Sequence, residues 1–196
     1  PAKIAATKFE YNIISIINTS PGELPVVTFS ITDPTNGDTP YDIQTDPEFT
    51  AGGGASRVAI LIGWDSSDYT NTGSGSDPAQ PISLNPLFGG STDNGNGTFT
   101  ITSTAAIPAT VTGSGVVAIE GHPAGDFDDD GTYSDRVPVK NVFLNFAITD
   151  ATAQSRREVV DIDNCNQCHG VLSLHGSNRT NEPQVCVICH NANATD

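Results

Sequence analysis

The sequence predicts a mainly β fold, an antiparallel β-sandwich or split-barrel domain with a short irregular segment after it. β-Branched and aromatic residues form short runs, which favour strands. Clusters of Gly, Pro, Asn, Asp and Ser separate the runs, and these gaps are too short and polar for the crossover helices that parallel strands need. The predicted strands are Tyr11–Ile17, Val26–Ile31, Arg57–Trp64, Thr98–Thr102, Val116–Glu120 and Val139–Ile148.

Charge divides the 196-residue chain into two parts. Residues 1–135 hold 17 acids and 3 bases, whereas residues 136–196 hold 6 acids and 5 bases. So acidic a chain would repel a phosphate backbone, which argues against a nucleic-acid partner. The longest apolar run, residues 58–62, is far shorter than the ~18 residues of a membrane helix. We therefore expect an acidic β domain over 1–155, a distinct segment over 156–196, and no membrane span.

The C-terminal segment carries two Cys-x-x-Cys-His motifs, Cys165–Cys168–His169 and Cys186–Cys189–His190, with 17 residues between the cysteine pairs. The rest of the segment has little apolar periodicity, so it needs a bound group to offset the entropy of ordering. The spacing of the pairs fits a zinc ribbon with a closed site of four cysteines. The histidine after each pair fits covalent haem c instead, because two thiols reach the porphyrin vinyl groups and the histidine ligates the iron.

A zinc ribbon does not require those histidines, so the sequence predicts two haem c groups, and zinc is the alternative. His169 and His190 are then the proximal ligands. An electron-transfer haem usually takes Met or His as its sixth ligand. The chain has no Met and four His, which leaves His122 and His175 as distal ligands of two bis-His, low-potential haems. Which haem His175 serves stays open. For both His122 and His175, the alternative is an ordinary structural or surface role without haem.

An acidic loop precedes the haem segment, and its pattern suggests calcium. Carboxylates stand at positions 1, 3 and 5 and glycine at position 6, which is how a chain folds back around a hard cation. The closing carboxylate at position 12 is missing, since Val137 stands there. An exposed acidic loop without an ion is the alternative. The candidate calcium ligands are Asp126, Asp128, Asp130, the Thr132 carbonyl and Asp135.

Several short motifs together resemble a known family. They are Gly121-His122-Pro123, Arg136–Lys140, Cys165–Gly170, Leu172–Gly176, Asn178–Asn181 and Cys186–Asn191. In this combination the sequence resembles the start of the haem region in outer-membrane decahaem c-type cytochromes of the OmcA/MtrC type. The resemblance is specific over residues 120–196 and weaker over the β-rich part.

The resemblance implies a role in electron transfer. Members of that family alternate β-barrel domains with pentahaem domains, in which bis-His haems form a wire. It implies that His175 is a distal ligand and that residues 156–196 begin a larger multihaem domain. The chain would then be a fragment, and a self-contained dihaem protein is the alternative. It also implies a bacterial outer-membrane or extracellular location, with the periplasm as the alternative. The implied partners are other haem proteins or further haems, metal oxides, soluble metals and flavins.

We accordingly expect an electron carrier rather than an enzyme with catalytic side chains. Terminal reduction of metals would be the one activity of such a carrier that resembles catalysis. No hydrolase or nucleotide-binding motif is present in the sequence.

Overall fold

The computed structural model describes residues 1–65, 80–158 and 160–191. The strands are β1 Glu10–Ile17, β2 Val26–Asp33, β3 Thr39–Pro40, β4 Arg57–Trp64, β5 Ile82–Leu84, β6 Thr92–Asp93, β7 Phe99–Thr102, β8 Ser114–His122, β9 Ala124–Gly125, β10 Asp135–Arg136, β11 Val142–Ala147, β12 Ser173–Leu174 and β13 Arg179–Thr180. The helices are α1 Ala2–Ala6, α2 Pro47–Thr50, α3 Ile162–His169 and α4 Pro183–Cys189, with one 3₁₀ turn at Pro34–Asn36.

The described residues form a mainly β structure in which the paired strands run antiparallel, which confirms the prediction of a β-rich, antiparallel domain. Each of the six predicted runs overlaps a strand of the structure. These strands are β1, β2, β4, β7, β8 and β11. The remaining strands are two or three residues long. Runs this short carry no readable alternation of apolar and polar residues, so the sequence did not reveal them.

Two sheets enclose the main core. One has the order β1–β2–β7–β6 with β3 beside β2, and the other has the order β11–β8–β4–β5. Because side chains alternate across a strand, every second residue of β4 faces inward. Val58, Ile60 and Ile62 join one core cluster with Val27 and Phe29 of the facing sheet. The β domain therefore has a core of its own.

The other face of the second sheet is also covered. Ala59 and Leu61 of β4 and Val116 and Ala118 of β8 form a second apolar cluster with Val185 and Ile188 of α4. Strands buried on both faces read as continuous apolar runs rather than as alternating ones. This explains the unbroken run of residues 58–62, and it fixes the helix that carries the second cysteine pair against the β domain.

The segment after residue 156 is more regular than the sequence analysis predicted. Helix α3, the hairpin β12–β13 and helix α4 follow one another. Each helix has a local start signal, which was overlooked because neither helix has a clear apolar period. The Asp161 side chain accepts a hydrogen bond from the Asp163 N–H, and the Glu182 side chain accepts one from the Gln184 N–H with Pro183 in the first turn. Such caps satisfy backbone donors that a helix end leaves free.

Truncation of Ile188 tests whether α4 is part of the β fold. Ile188 is fully buried in the second apolar cluster, so Ile188→Ala is expected to cost about 2–5 kcal/mol. Urea unfolding followed by the fluorescence of Trp64, which lies in the main core, measures this loss. Val187→Ala, which removes a partly buried neighbour, is the control and is expected to cost less. An unchanged midpoint for Ile188→Ala would show that α4 unfolds independently of the β domain.

No helix among the described residues is long and apolar enough to cross a bilayer.

Candidate functional site

The second Cys-x-x-Cys-His motif lies on α4 and just beyond it. Cys186 and Cys189 are three positions apart in this helix, so their side chains lie on the same face. His190 ends the helix, and its backbone N–H donates to the Cys186 carbonyl at 2.9 Å. Val185 and Ile188 lie on the neighbouring face of the helix, which packs on the sheet. The motif therefore sits on a helix whose orientation is fixed by burial.

The first motif lies on α3, which has no buried residue. Within the described residues, the Asn166 side chain links α3 to the hairpin that follows it. The Asn166 amide nitrogen donates to the Asn181 side-chain oxygen at 2.6 Å, and the Asn166 oxygen accepts from the Leu172 N–H at 2.8 Å. The first cysteine pair, Cys165 and Cys168, thus has a lighter attachment to the protein than the second pair.

The hairpin between the motifs is bound to the β domain by backbone hydrogen bonds. The Gly121 N–H donates to the Asn178 carbonyl, and the Asn141 N–H donates to the Thr180 carbonyl, each at 2.9 Å. The Asn141 side chain in turn accepts from the Thr180 N–H at 3.0 Å. Asn141 and Thr180 are both buried, so these bonds are shielded from water. The hairpin is a fixed part of the site.

His175 lies at the turn of this hairpin with a left-handed backbone, φ 51°. Its ring lies beside that of His190, with ring centroids 6.0 Å apart and planes inclined by 27°. Two imidazoles that bind one metal from opposite sides, each at about 2 Å, have centroids about 6 Å apart. The separation of the ring centroids therefore matches that of a bis-His pair on one iron, while the rings themselves are stacked. Which haem His175 serves stays a prediction.

His122 lies at the end of β8 and is 1% exposed. Its Nδ1 lies 3.0 Å from the Ala55 carbonyl oxygen, which can only accept, so Nδ1 donates. Burial lowers the pKa of His122, and the positive charge of Arg136 lowers it further. The lowered pKa favours the neutral form of the ring. A neutral imidazole is the form that ligates metals, and the role of His122 as a distal ligand stays a prediction.

A buried carboxylate that the sequence analysis missed joins β8 to the second motif. Glu120, 1% exposed, lies on the outer face of β8 and forms ion pairs with Arg179 of β13 and with Arg57 of β4, the latter at 3.5 Å. The Arg179 guanidinium lies close enough to the second motif for its charge to interact with the Cys186 and Cys189 sulfurs. Burial raises the pKa of the Cys186 thiol, and the charge of Arg179 opposes this effect.

The predicted calcium ligands are brought together only in part. Oxygens of Asp126, Asp128 and Asp130 lie within 4.8 Å of one another. The Asp135 carboxylate accepts from the Phe127 N–H at 3.1 Å, while the Thr132 N–H donates to Asp130 at 2.7 Å. The charge of Asp130 raises the pKa of Asp128, which is the repulsion expected among crowded carboxylates. Calcium binding at this loop stays a prediction.

A metal site needs at least three ligating side chains whose ligand atoms lie within 4.8 Å of one another. Within the described parts of the chain, Asp126, Asp128 and Asp130 are the one set of His, Cys, Asp or Glu residues that meets this condition. No three of the four cysteine sulfurs, all on described residues, do so. In a closed tetrahedral zinc site, four sulfurs each lie about 2.3 Å from one ion, and hence about 4 Å from one another. Helices α3 and α4 would have to approach each other to build a zinc site from all four cysteines.

Neither a scan against models of protein families nor a search of curated proteins found a match to this chain.

Proposed function

We propose that this protein is an electron-transfer c-type cytochrome with haem attached covalently at both Cys-x-x-Cys-His motifs. The observation that carries the proposal is the pairing of His175 with His190. Two histidines 15 positions apart in sequence stand at the separation that one six-coordinate iron needs. One of them directly follows a cysteine pair, which is where a haem c takes its proximal ligand.

The donor set fits haem c at the second motif. Cys186 and Cys189 offer two sulfurs on one face of a helix, His190 offers the proximal nitrogen and His175 the distal one. The first motif offers Cys165, Cys168 and His169, with His122 as the candidate distal ligand. A cavity of about 490 Å³ lies between the N-terminal ends of α3 and α4, and none of the motif cysteines or histidines lines it.

In this proposal the protein positions the iron and controls its surroundings. A bound haem supplies one-electron chemistry at its iron. The two thioether links would fix the porphyrin to α4, whose apolar face is anchored on the sheet. Histidines on both sides of the iron would leave no position for a substrate, which favours an electron carrier over an oxygen-activating enzyme. Ligation by two histidines rather than by Met also favours a low reduction potential.

We further propose an extracellular or outer-membrane setting, with the periplasm as the alternative. The support is the resemblance described above and the excess of 15 negative charges on the chain. An acidic β domain suits cationic partners, including metal ions at mineral surfaces and basic proteins. Metal oxides, soluble metals, flavins and neighbouring haems are the proposed electron acceptors or donors.

An absorption spectrum with metal analysis tests the proposal. The chain is to be exported by a bacterium that matures c-type cytochromes, then purified and measured before and after dithionite reduction. We expect a sharp Soret band, split α and β bands on reduction, and two irons per chain. A colourless protein with one zinc per chain would reject the cytochrome proposal in favour of a zinc-binding module. A variant with Cys165, Cys168, Cys186 and Cys189 all changed to alanine is the matched control for non-covalent haem.

A further inference from the structure

The buried charges beside the second motif have no role in attaching or ligating haem. Glu120 lies two positions after Ala118 on the outer face of β8, and its side chain is 1% exposed. Both of its oxygens contact guanidinium groups, but neither accepts a hydrogen bond of regular geometry from the described residues. A buried carboxylate held only by ion pairs costs desolvation energy. Its position therefore calls for an explanation other than stability alone.

Arg179 is the member of this network that reaches the motif. Its side chain is 15% exposed, whereas that of Arg57 is 52% exposed. The guanidinium contacts Glu120 on the sheet face that α4 covers, and its charge interacts with the Cys186 and Cys189 sulfurs of α4. The neighbouring Thr180 is fixed by its bonds with Asn141. A positive charge is thus held in a shielded place, on the face of the sheet that carries α4 and the second cysteine pair.

The sign of this charge has a direct effect on a redox centre. Reduction of ferric to ferrous haem adds one electron, taken from an external one-electron donor, and neither makes nor breaks a bond. A nearby positive charge favours the reduced form, and a negative charge favours the oxidised form. Water screens such effects at the surface, but it screens buried charges much less. Second-sphere hydrogen bonds and burial are recognised means by which a protein adjusts a haem potential.

We propose that Arg179, oriented by Glu120, is a positioning residue that raises the reduction potential of the haem attached at Cys186 and Cys189. The inference rests on the proposed function, since it needs a haem at that motif. It goes beyond that function because it assigns opposite electrostatic effects to two residues that bind no haem atom. The haem at Cys165 and Cys168 serves as the internal reference, because its helix α3 has no buried residue and makes no ion pair with this network among the described residues.

Redox titration of the two-haem protein tests the inference. Arg179→Gln removes the positive charge and keeps an amide, and it is expected to lower one midpoint potential. A roughly tenfold fall in the equilibrium constant for reduction corresponds to about 59 mV for one electron. Glu120→Gln is expected to raise the same potential, and Arg179→Lys to restore most of the wild-type value. Arg157→Gln removes an exposed positive charge and is the matched control, with no expected change.

The outcomes separate the two proposals. If the pyridine haemochrome assay finds no haem in the wild-type chain, the proposed function fails. If both haems are present and Arg179→Gln leaves both potentials unchanged, the inference is wrong while the proposed function stands. A shift of the same sign in Arg179→Gln and Glu120→Gln would also overturn it, because loss of structure would move both alike. If Arg179→Gln does not fold, Glu120→Gln tests the inference instead. A raised potential of one haem supports it, and a lowered or unchanged potential overturns it.

Discussion

Replacing His175 with alanine is expected to convert one of the two proposed haems from six-coordinate low-spin to five-coordinate high-spin. The ring of His175 stands 6.0 Å from that of His190 between centroids, and its removal takes away one axial nitrogen. The hairpin that carries it is bound to the β domain through Gly121 and Asn141, so another side chain cannot easily swing into its place. The ferric absorption spectrum should gain a high-spin charge-transfer band. Its intensity should be half of that expected if both haems were high-spin, because the other haem stays low-spin.

Two further variants complete this prediction. Leu174→Ala removes an exposed neighbour in the same hairpin, and its spectrum should match that of the wild type. His175→Met should keep six-coordination and raise the reduction potential of one haem, because methionine ligation stabilises the ferrous form. A fully low-spin spectrum in His175→Ala would contradict the pairing of His175 with His190.

Replacing Arg179 with alanine is expected to destabilise the fold by about 3 kcal/mol. Breaking a buried ion pair leaves a charge without its partner, which typically costs about 3–5 kcal/mol. The lower value applies because Arg57 stays paired with Glu120, although its own side chain is half exposed. Urea unfolding of the wild-type and variant proteins, both with the same haem content, measures the loss in the free energy of unfolding.

A double-mutant cycle of Glu120→Leu, Arg179→Leu and the double variant separates the lost ion pair from lost packing. The double variant removes both buried charges, and apolar replacement of a complete buried pair is often neutral or stabilising. The double variant should therefore be more stable than Arg179→Leu. Arg57→Ala is expected to cost less than Arg179→Ala, since its side chain is more exposed. Equal losses in the single and double variants would show that the carboxylate is not destabilised by losing Arg179.

The long strands could be predicted because their side chains repeat a local pattern. β4 and β8 are apolar on both faces, and the sequence predicted both of them as strands. The second face of β4 is apolar because α4 covers it, and α4 lies more than 100 positions further along the sequence. The helices α3 and α4 were missed because their order depends on caps and on contacts with the sheet and the hairpin, not on an apolar period of their own.

The parts of the candidate site that are local in sequence could also be predicted, whereas the contacts between distant residues could not. The Cys-x-x-Cys-His motifs are local, so the sequence alone indicated Cys186, Cys189 and His190. The pairing of His175 with His190 needs the hairpin to fold back. The contact between Glu120 and Arg179 joins residues 59 positions apart, and one acidic residue at the end of an apolar strand was the only local signal of it.

Mass spectrometry of tryptic peptides tests the central claim, covalent haem at both motifs, most directly. Arginines at 157 and 179 place the two motifs in separate peptides, residues 158–179 and 180–196. The account predicts that each peptide is heavier by one haem and absorbs in the Soret region, with no cysteine open to alkylation. Two colourless peptides, each with two cysteines that alkylate fully, would contradict it.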